Sequence, residues 1–151
     1  MGQQIERVGV LGAGLMGHGI AQVAAQSGYQ VVVREVDEQT LAKGVGKIEK
    51  QLARSVEREK LSRQEADEVL SRVNGTVQYS DLGDCDLVIE AITESLPLKL
   101  EMWREIDEIV KPGAVFATNT SSLAVIDQAA VTGRPAQFVG MHYFNPPQVM
   151  K

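Results

Sequence analysis

Residues 5–17 read IERVGVLGAGLMG, a short apolar run that ends in Gly12-Ala13-Gly14-Leu15-Met16-Gly17. No other stretch restricts the fold as much. A G-x-G-x-x-G pattern that leaves a strand and opens a helix needs each glycine for a mechanical reason. Gly12 makes the tight turn, Gly14 lets a pyrophosphate approach the backbone, and Gly17 allows helix and strand to pack closely. The helix N-terminus then offers free N–H groups and a partial positive charge to the phosphates, with Leu15 and Met16 completing the loop. The strand is predicted over 5–11 and the helix over 15–26, where Leu15, Ile20, Val23 and Ala24 share an apolar side and Gly28 ends the element. Residues 30–36, QVVVREV, carry successive valines, as expected of a parallel strand covered on both faces. Strand, helix and strand in this space make one βαβ unit.

An acidic residue at the end of the second strand belongs to the same pattern. Glu35 is placed to accept hydrogen bonds from adenosine ribose hydroxyls, and its carboxylate repels a 2′-phosphate, which favours NAD over NADP. Asp37 is a second carboxylate within reach, and Arg34 beside Glu35 could contact a phosphate. A non-catalytic nucleotide-binding module satisfies these observations as well as an enzyme does.

Further along, a helix is predicted over 38–59, with Leu41, Val45, Ile48 and Leu52 as its apolar stripe and Lys43, Lys47, Lys50, Arg54 and Arg58 on another side. Ser62 with Glu65 matches a capping box and starts a second helix that ends at Asn74-Gly75. A weak strand follows over 76–79 and a strong one over 86–91. Pro97 suits the first turn of a helix running to 110, and Lys111-Pro112-Gly113 stops it. A strand over 114–118, a short helix over 123–130 and a last strand over 137–142 complete the chain. The alternation predicts one α/β domain over 1–151, a doubly wound, mostly parallel sheet of the Rossmann kind with a helical pair inserted after the second strand.

A net charge of −5 argues against a general nucleic-acid binder, which needs a basic face. Cys85 is the only cysteine, so an internal disulfide and a cysteine-built zinc site are excluded. No apolar run approaches the roughly 18 residues of a membrane span. These features lead us to expect a cytoplasmic protein without metal, nucleic-acid or membrane partners.

Four segments together resemble the L-3-hydroxyacyl-CoA dehydrogenases, including the bacterial 3-hydroxybutyryl-CoA dehydrogenases: GVLGAGLMGHGIAQVAA at 8–25, DLVIEAITES at 86–95, NTSSL at 119–123 and GMHYFNPP at 140–147. NTSSL followed by HYFNP is far more specific than the glycine pattern and argues against sugar-acid dehydrogenases of the gulonate type, which share a looser likeness. The resemblance implies that His142 is the catalytic histidine, that Ser121 contacts the substrate's 3-oxygen and the cofactor, and that Asn145 helps to position substrate and histidine. It further implies that Glu94 and Lys99 are cofactor contacts on the nicotinamide side. The helical pair would hold coenzyme A, with Arg58 as one contact. The residue types suit the reaction: an imidazole that titrates near neutrality can take the proton of a secondary alcohol and return it. Ser121 could equally be a helix cap, with capping and substrate contact divided between Ser121 and Ser122. His18 reads as a neighbour of the glycine loop.

In the family a glutamate shortly downstream orients the histidine, and an all-helical second domain closes the cleft and forms most of the dimer interface. Both are expected to lie beyond Lys151. The chain would then be either a fragment ending at the domain boundary or a naturally short protein that works with a separately encoded helical partner.

Overall fold

The first apolar run forms β1 (Arg7–Leu11), and the helix after the glycine loop is α1 (Gly17–Gln26). These and the elements below come from a computed structural model that describes residues 4–150; Lys151, the last residue of the expected domain, lies outside them. The valine run forms β2 (Gln30–Arg34), with Val31 and Val33 wholly buried and Val32 only 3% exposed. The helical pair is α2 (Glu38–Glu57) and α3 (Arg63–Ser71), followed by β3 (Val73–Thr76). Then come β4 (Leu87–Glu90), α4 (Leu96–Ile109), β5 (Val115–Thr118), α5 (Val125–Ala130) and β6 (Phe138–Gly140).

Six strands make one sheet in the order β3-β2-β1-β4-β5-β6, and every pairing is parallel. The order reverses between β1 and β4, so a crevice opens there at the carboxyl ends of the strands. Strand alternation divides the core. Val8, Val10, Val31, Val33, Leu87 and Ile89 face α1 and the inserted pair, while Leu11, Val32, Val88 and Phe116 face α4. Trp103 of α4 stacks on Phe116 at 5.0 Å and meets Phe138 edge-on at 4.9 Å, which fixes α4 against the far half of the sheet.

The helical pair is built as its sequence requires. The Ser62 hydroxyl accepts from the Glu65 N–H at 3.1 Å, and the Glu65 carboxylate accepts from the Ser62 N–H at 2.7 Å. Gly44 lets α2 reach the glycine loop, since a Cβ there would lie 2.3 Å from the Ala13 Cβ.

Several boundaries depart from the sequence reading; β2 ends at Arg34 and not at 36, so Glu35 follows the strand, and α2 ends at Glu57 and not at 59. Asn74-Gly75, expected to end a helix, sits inside β3 in register with Val32 and Val33, and the expected 76–79 strand is instead the approach to a 3₁₀ turn at Tyr79–Leu82. Asn-Gly is a stop signal only in isolation; here Leu41 packs over Gly75, at 3.1 Å from where a Cβ would stand, and the ladder to β2 decides the conformation. Leu15 belongs to the loop and is 67% exposed, so it is no part of the apolar face of α1. The short helix expected over 123–130 begins only at Val125. Finally, β6 ends at Gly140, which leaves His142 in the segment that follows the strand.

Candidate functional site

The crevice at the strand-order reversal is floored by the glycine loop. Gly12 has φ +93°, and a Cβ there would stand 2.7 Å from the Ala91 carbonyl oxygen of the neighbouring strand end. At Gly17 a Cβ would stand 1.8 Å from the Gly12 carbonyl oxygen, so α1 rests directly on the loop. A Cβ at Gly14 would meet nothing within 4 Å, which makes this the open side of the loop. Met16 caps α1 without a side-chain hydrogen bond; the His18 and Ile20 N–H groups bond the Gly14 and Met16 carbonyls, and the Gly17 and Gly19 N–H groups are left available to an anion. His18 is buried beside the loop, its Nδ1 2.5 Å from the Gly14 carbonyl oxygen.

A cavity of about 510 Å³ lies on the β2 side of the loop and is lined by Gly12, Gly14, Arg34, Glu35 and Tyr79 among others. Glu35 Oε1 accepts the Ala13 N–H at 2.7 Å and Oε2 accepts the Val36 N–H at 2.9 Å, so the carboxylate braces the loop as well as facing the cavity. Asp37 is employed elsewhere. It caps α2, accepting the Thr40 N–H at 2.7 Å and the Thr40 hydroxyl at 3.0 Å, bonds that hold its carboxyl below the usual value. The Arg34 guanidinium lies 3.7 Å over the Tyr79 ring.

On the other side a cavity of about 500 Å³ collects Gly14, Leu15, Met16, Glu94, Ser121, His142 and Asn145. Its walls are tied together by polar residues at the strand ends. The Tyr143 N–H donates to Asn119 Oδ1 at 2.9 Å and the Met141 N–H to the Thr118 carbonyl at 2.8 Å, which anchors the His142 segment to the end of β5. Glu90, at the end of β4, also borders this cavity but is wholly buried; it accepts the Ile92 N–H at 2.8 Å and the Thr118 hydroxyl at 2.5 Å and pairs with Lys99. Lys99 also reaches Glu94 at 3.1 Å, and the Thr120 hydroxyl donates to Glu94 at 2.6 Å. Burial resists ionisation of Glu94, but Thr120 and Lys99 outweigh it and hold its carboxyl below the usual range.

The protein profile described as "3-hydroxyacyl-CoA dehydrogenase, NAD binding domain" matches residues 7–151. The chain belongs to this family. Among curated relatives it is 46% identical, over 96% of its length and 52% of the relative's, to the probable 3-hydroxybutyryl-CoA dehydrogenase of Deinococcus radiodurans. It is 40% identical, over 100% and 52%, to the 3-hydroxybutyryl-CoA dehydrogenase of Bradyrhizobium diazoefficiens. The crystal structure of (S)-3-hydroxybutyryl-CoA dehydrogenase from Ralstonia eutropha superposes with a TM-score of 0.95 at 42% identity, covering 97% of this chain and 52% of that one. The chain thus spans about half the length of these relatives, and its cofactor is NAD.

Within this NAD-binding domain the residues singled out in the sequence fall into several places. His142, Ser121, Asn145, Glu94 and the tip of the loop share one cavity, and Gly12 and Glu35 line the second. Arg58 is in neither: with Gln22, Gln51, Arg54 and Lys60 it lines a third cavity of about 390 Å³ beside the helical pair. Lys99, expected as a cofactor contact, is 1% exposed and sits behind Glu94. Ser121 and Ser122 do not cap the following helix. Thr120 takes the local N–H groups, from Leu123 at 3.1 Å and Ser122 at 3.5 Å, and leaves Ser121 to the cavity. Sequence reasoning missed Glu90, Asn119 and Thr120. The available signal for Glu90 was a carboxylate closing an otherwise apolar strand, which needs a buried cation; the other two stand inside NTSSL. No group of metal-binding side chains, and no helix long and apolar enough to cross a membrane, occurs among the described residues.

Proposed function

We propose that the chain is the cofactor-binding half of an oxidoreductase that interconverts (S)-3-hydroxyacyl-CoA and 3-oxoacyl-CoA with short acyl chains. One observation carries this reading: the dinucleotide loop, His142, Ser121 and Asn145 line a single cavity. His142 acts as general base, taking the proton from the 3-hydroxyl group and returning it in the reverse direction. Ser121 and Asn145 hold the reacting oxygen through their hydroxyl and amide, Ser121 also touching the cofactor. NAD, when bound, supplies the hydride acceptor. Gly12, Gly14, Leu15, Met16 and Gly17 receive its pyrophosphate. Glu35 receives the adenosine ribose, Asp37 being committed to its helix cap. Glu94 faces the nicotinamide side and Lys99 supports it from behind. Arg58, in its cation-rich cavity, binds a phosphate of coenzyme A. A helical C-terminal domain, on the same or a separate chain, closes the cleft, and the full-length form is a homo-oligomer.

The test combines binding and turnover. NADH titrated into the chain is expected to bind, and its failure to do so would sink the reading. With acetoacetyl-CoA, NADH consumption is expected when the chain is joined to a helical C-terminal domain of the family, and much less from the chain alone. No consumption in either form would leave a non-catalytic NAD-binding module. His142→Ala in the joined form should abolish turnover while NADH still binds.

A further inference from the structure

The cavity on the β2 side contains a cation that neither the loop nor the reaction needs. Arg34 is held by two contacts: its guanidinium lies 3.7 Å over the Tyr79 ring, and its Nε donates to the Val77 carbonyl at 3.3 Å. Among the described residues its terminal nitrogens have no hydrogen-bond partner, and both Arg34 and Tyr79 line the cavity. A planar guanidinium held over an aromatic ring can itself stack, which suits a purine base. The charge around it is wrong for a phosphate clamp. Glu35, Glu101 and Glu105 line the same cavity, so three carboxylates share it with one cation.

We propose that the Arg34–Tyr79 stack is the adenine-binding wall of the NAD site, and that Glu101 and Glu105 together with Glu35 exclude a 2′-phosphate. Arg34 thus determines specificity through its plane. The proposal rests on the assignment of this crevice to NAD.

The test is a set of titrations on the chain itself with ADP-ribose, NADH, NADPH and reduced nicotinamide mononucleotide, the last of which lacks adenosine. Arg34→Ala and Arg34→Lys are both expected to weaken ADP-ribose and NADH by roughly tenfold, the size of a desolvated cation–π or stacking contact, because lysine restores the charge without the plane. The mononucleotide should bind all forms alike. Glu101→Gln combined with Glu105→Gln should narrow the gap between NADH and NADPH several-fold. The proposal is overturned if Arg34→Lys binds like the parent, if Arg34→Ala weakens NADPH while sparing ADP-ribose, or if the mononucleotide is weakened equally, which would mean a structural effect. Absence of NADH binding in the parent chain would instead refute the cofactor site itself.

Discussion

Replacing Lys99 by Met tests the buried charge network beside the cavity that His142 lines. In the native chain one ammonium, 1% exposed, serves two carboxylates: Glu90, which is wholly buried, and Glu94, whose side chain is 47% exposed. Methionine keeps the length and apolar character of the lysine stem, so the volume change is small. Glu94 can replace its partner with water, whereas Glu90 cannot. Its two other bonds, from Ile92 and Thr118, are neutral donors that do not cancel the charge. Breaking a buried pair by removing one partner costs about 3–5 kcal/mol. For a domain of this length the unfolding entropy is roughly 0.3 kcal/mol/K, so the midpoint should fall by roughly 10–15 °C. Calorimetry or urea unfolding of the parent, Lys99→Met, Glu90→Gln and the double variant completes the cycle. The double variant carries no unpaired buried charge and is expected to recover at least half of the loss. A Lys99→Met cost below about 1 kcal/mol, or a double variant no better than Lys99→Met, would refute the claim that Lys99 acts mainly by neutralising Glu90.

Three further outcomes follow from other parts of the structure. Gly14→Ala should leave the unfolding midpoint nearly unchanged and weaken NADH binding severely, because its Cβ meets only open space, while Gly17→Ala should lower both, its Cβ standing 1.8 Å from the Gly12 oxygen; equal melting of the two would contradict this. Asp86 accepts the Glu6 and Arg7 N–H groups at 2.9 Å each and pairs with Lys111; burial opposes its ionisation, but Lys111 and these N–H groups outweigh it and hold the carboxyl at about 2. Because its pKa is depressed on folding, its contribution is present above about pH 4 and is lost as pH falls towards about 2, amounting to about 1–2 kcal/mol once the half-exposed Lys111 is allowed for. Asp86→Asn should therefore lie below the parent in urea stability at pH 6 and converge with it near pH 2; parallel curves would refute the linkage. Burial pushes the Cys85 thiol up to about 11, so a thiol reagent at neutral pH should label it only on unfolding, and rapid labelling of the native chain would show that this part of the core opens.

Which parts of this were legible in the sequence follows from the range of the interactions. The glycine loop, the valine strand and the Ser62–Glu65 box are local: turn, periodicity and cap are each complete within a few residues, and all three are present, the strand ending at Arg34 and not at Val36. Asn74-Gly75 misled because its local preference for a stop yields to a strand pairing with β2, far away in sequence. His142, Ser121 and Asn145, singled out from their motifs, line one cavity, but the Glu90–Lys99–Glu94 chain could not be read, since a buried charge declares its partner only when the fold brings the two together.

By itself, then, the sequence determined a βαβ dinucleotide cradle and the carboxylate that follows its second strand, because backbone sterics and hydrophobic period act over short distances. Tertiary structure alone decided which carboxylate is spent on a helix cap and which faces the crevice, that Thr120 and not Ser121 serves the backbone, and that Lys99 lies behind the wall and Arg34 on Tyr79. Those outcomes depend on which polar groups compete for the same partners once packed. Spacing along a chain does not encode that competition.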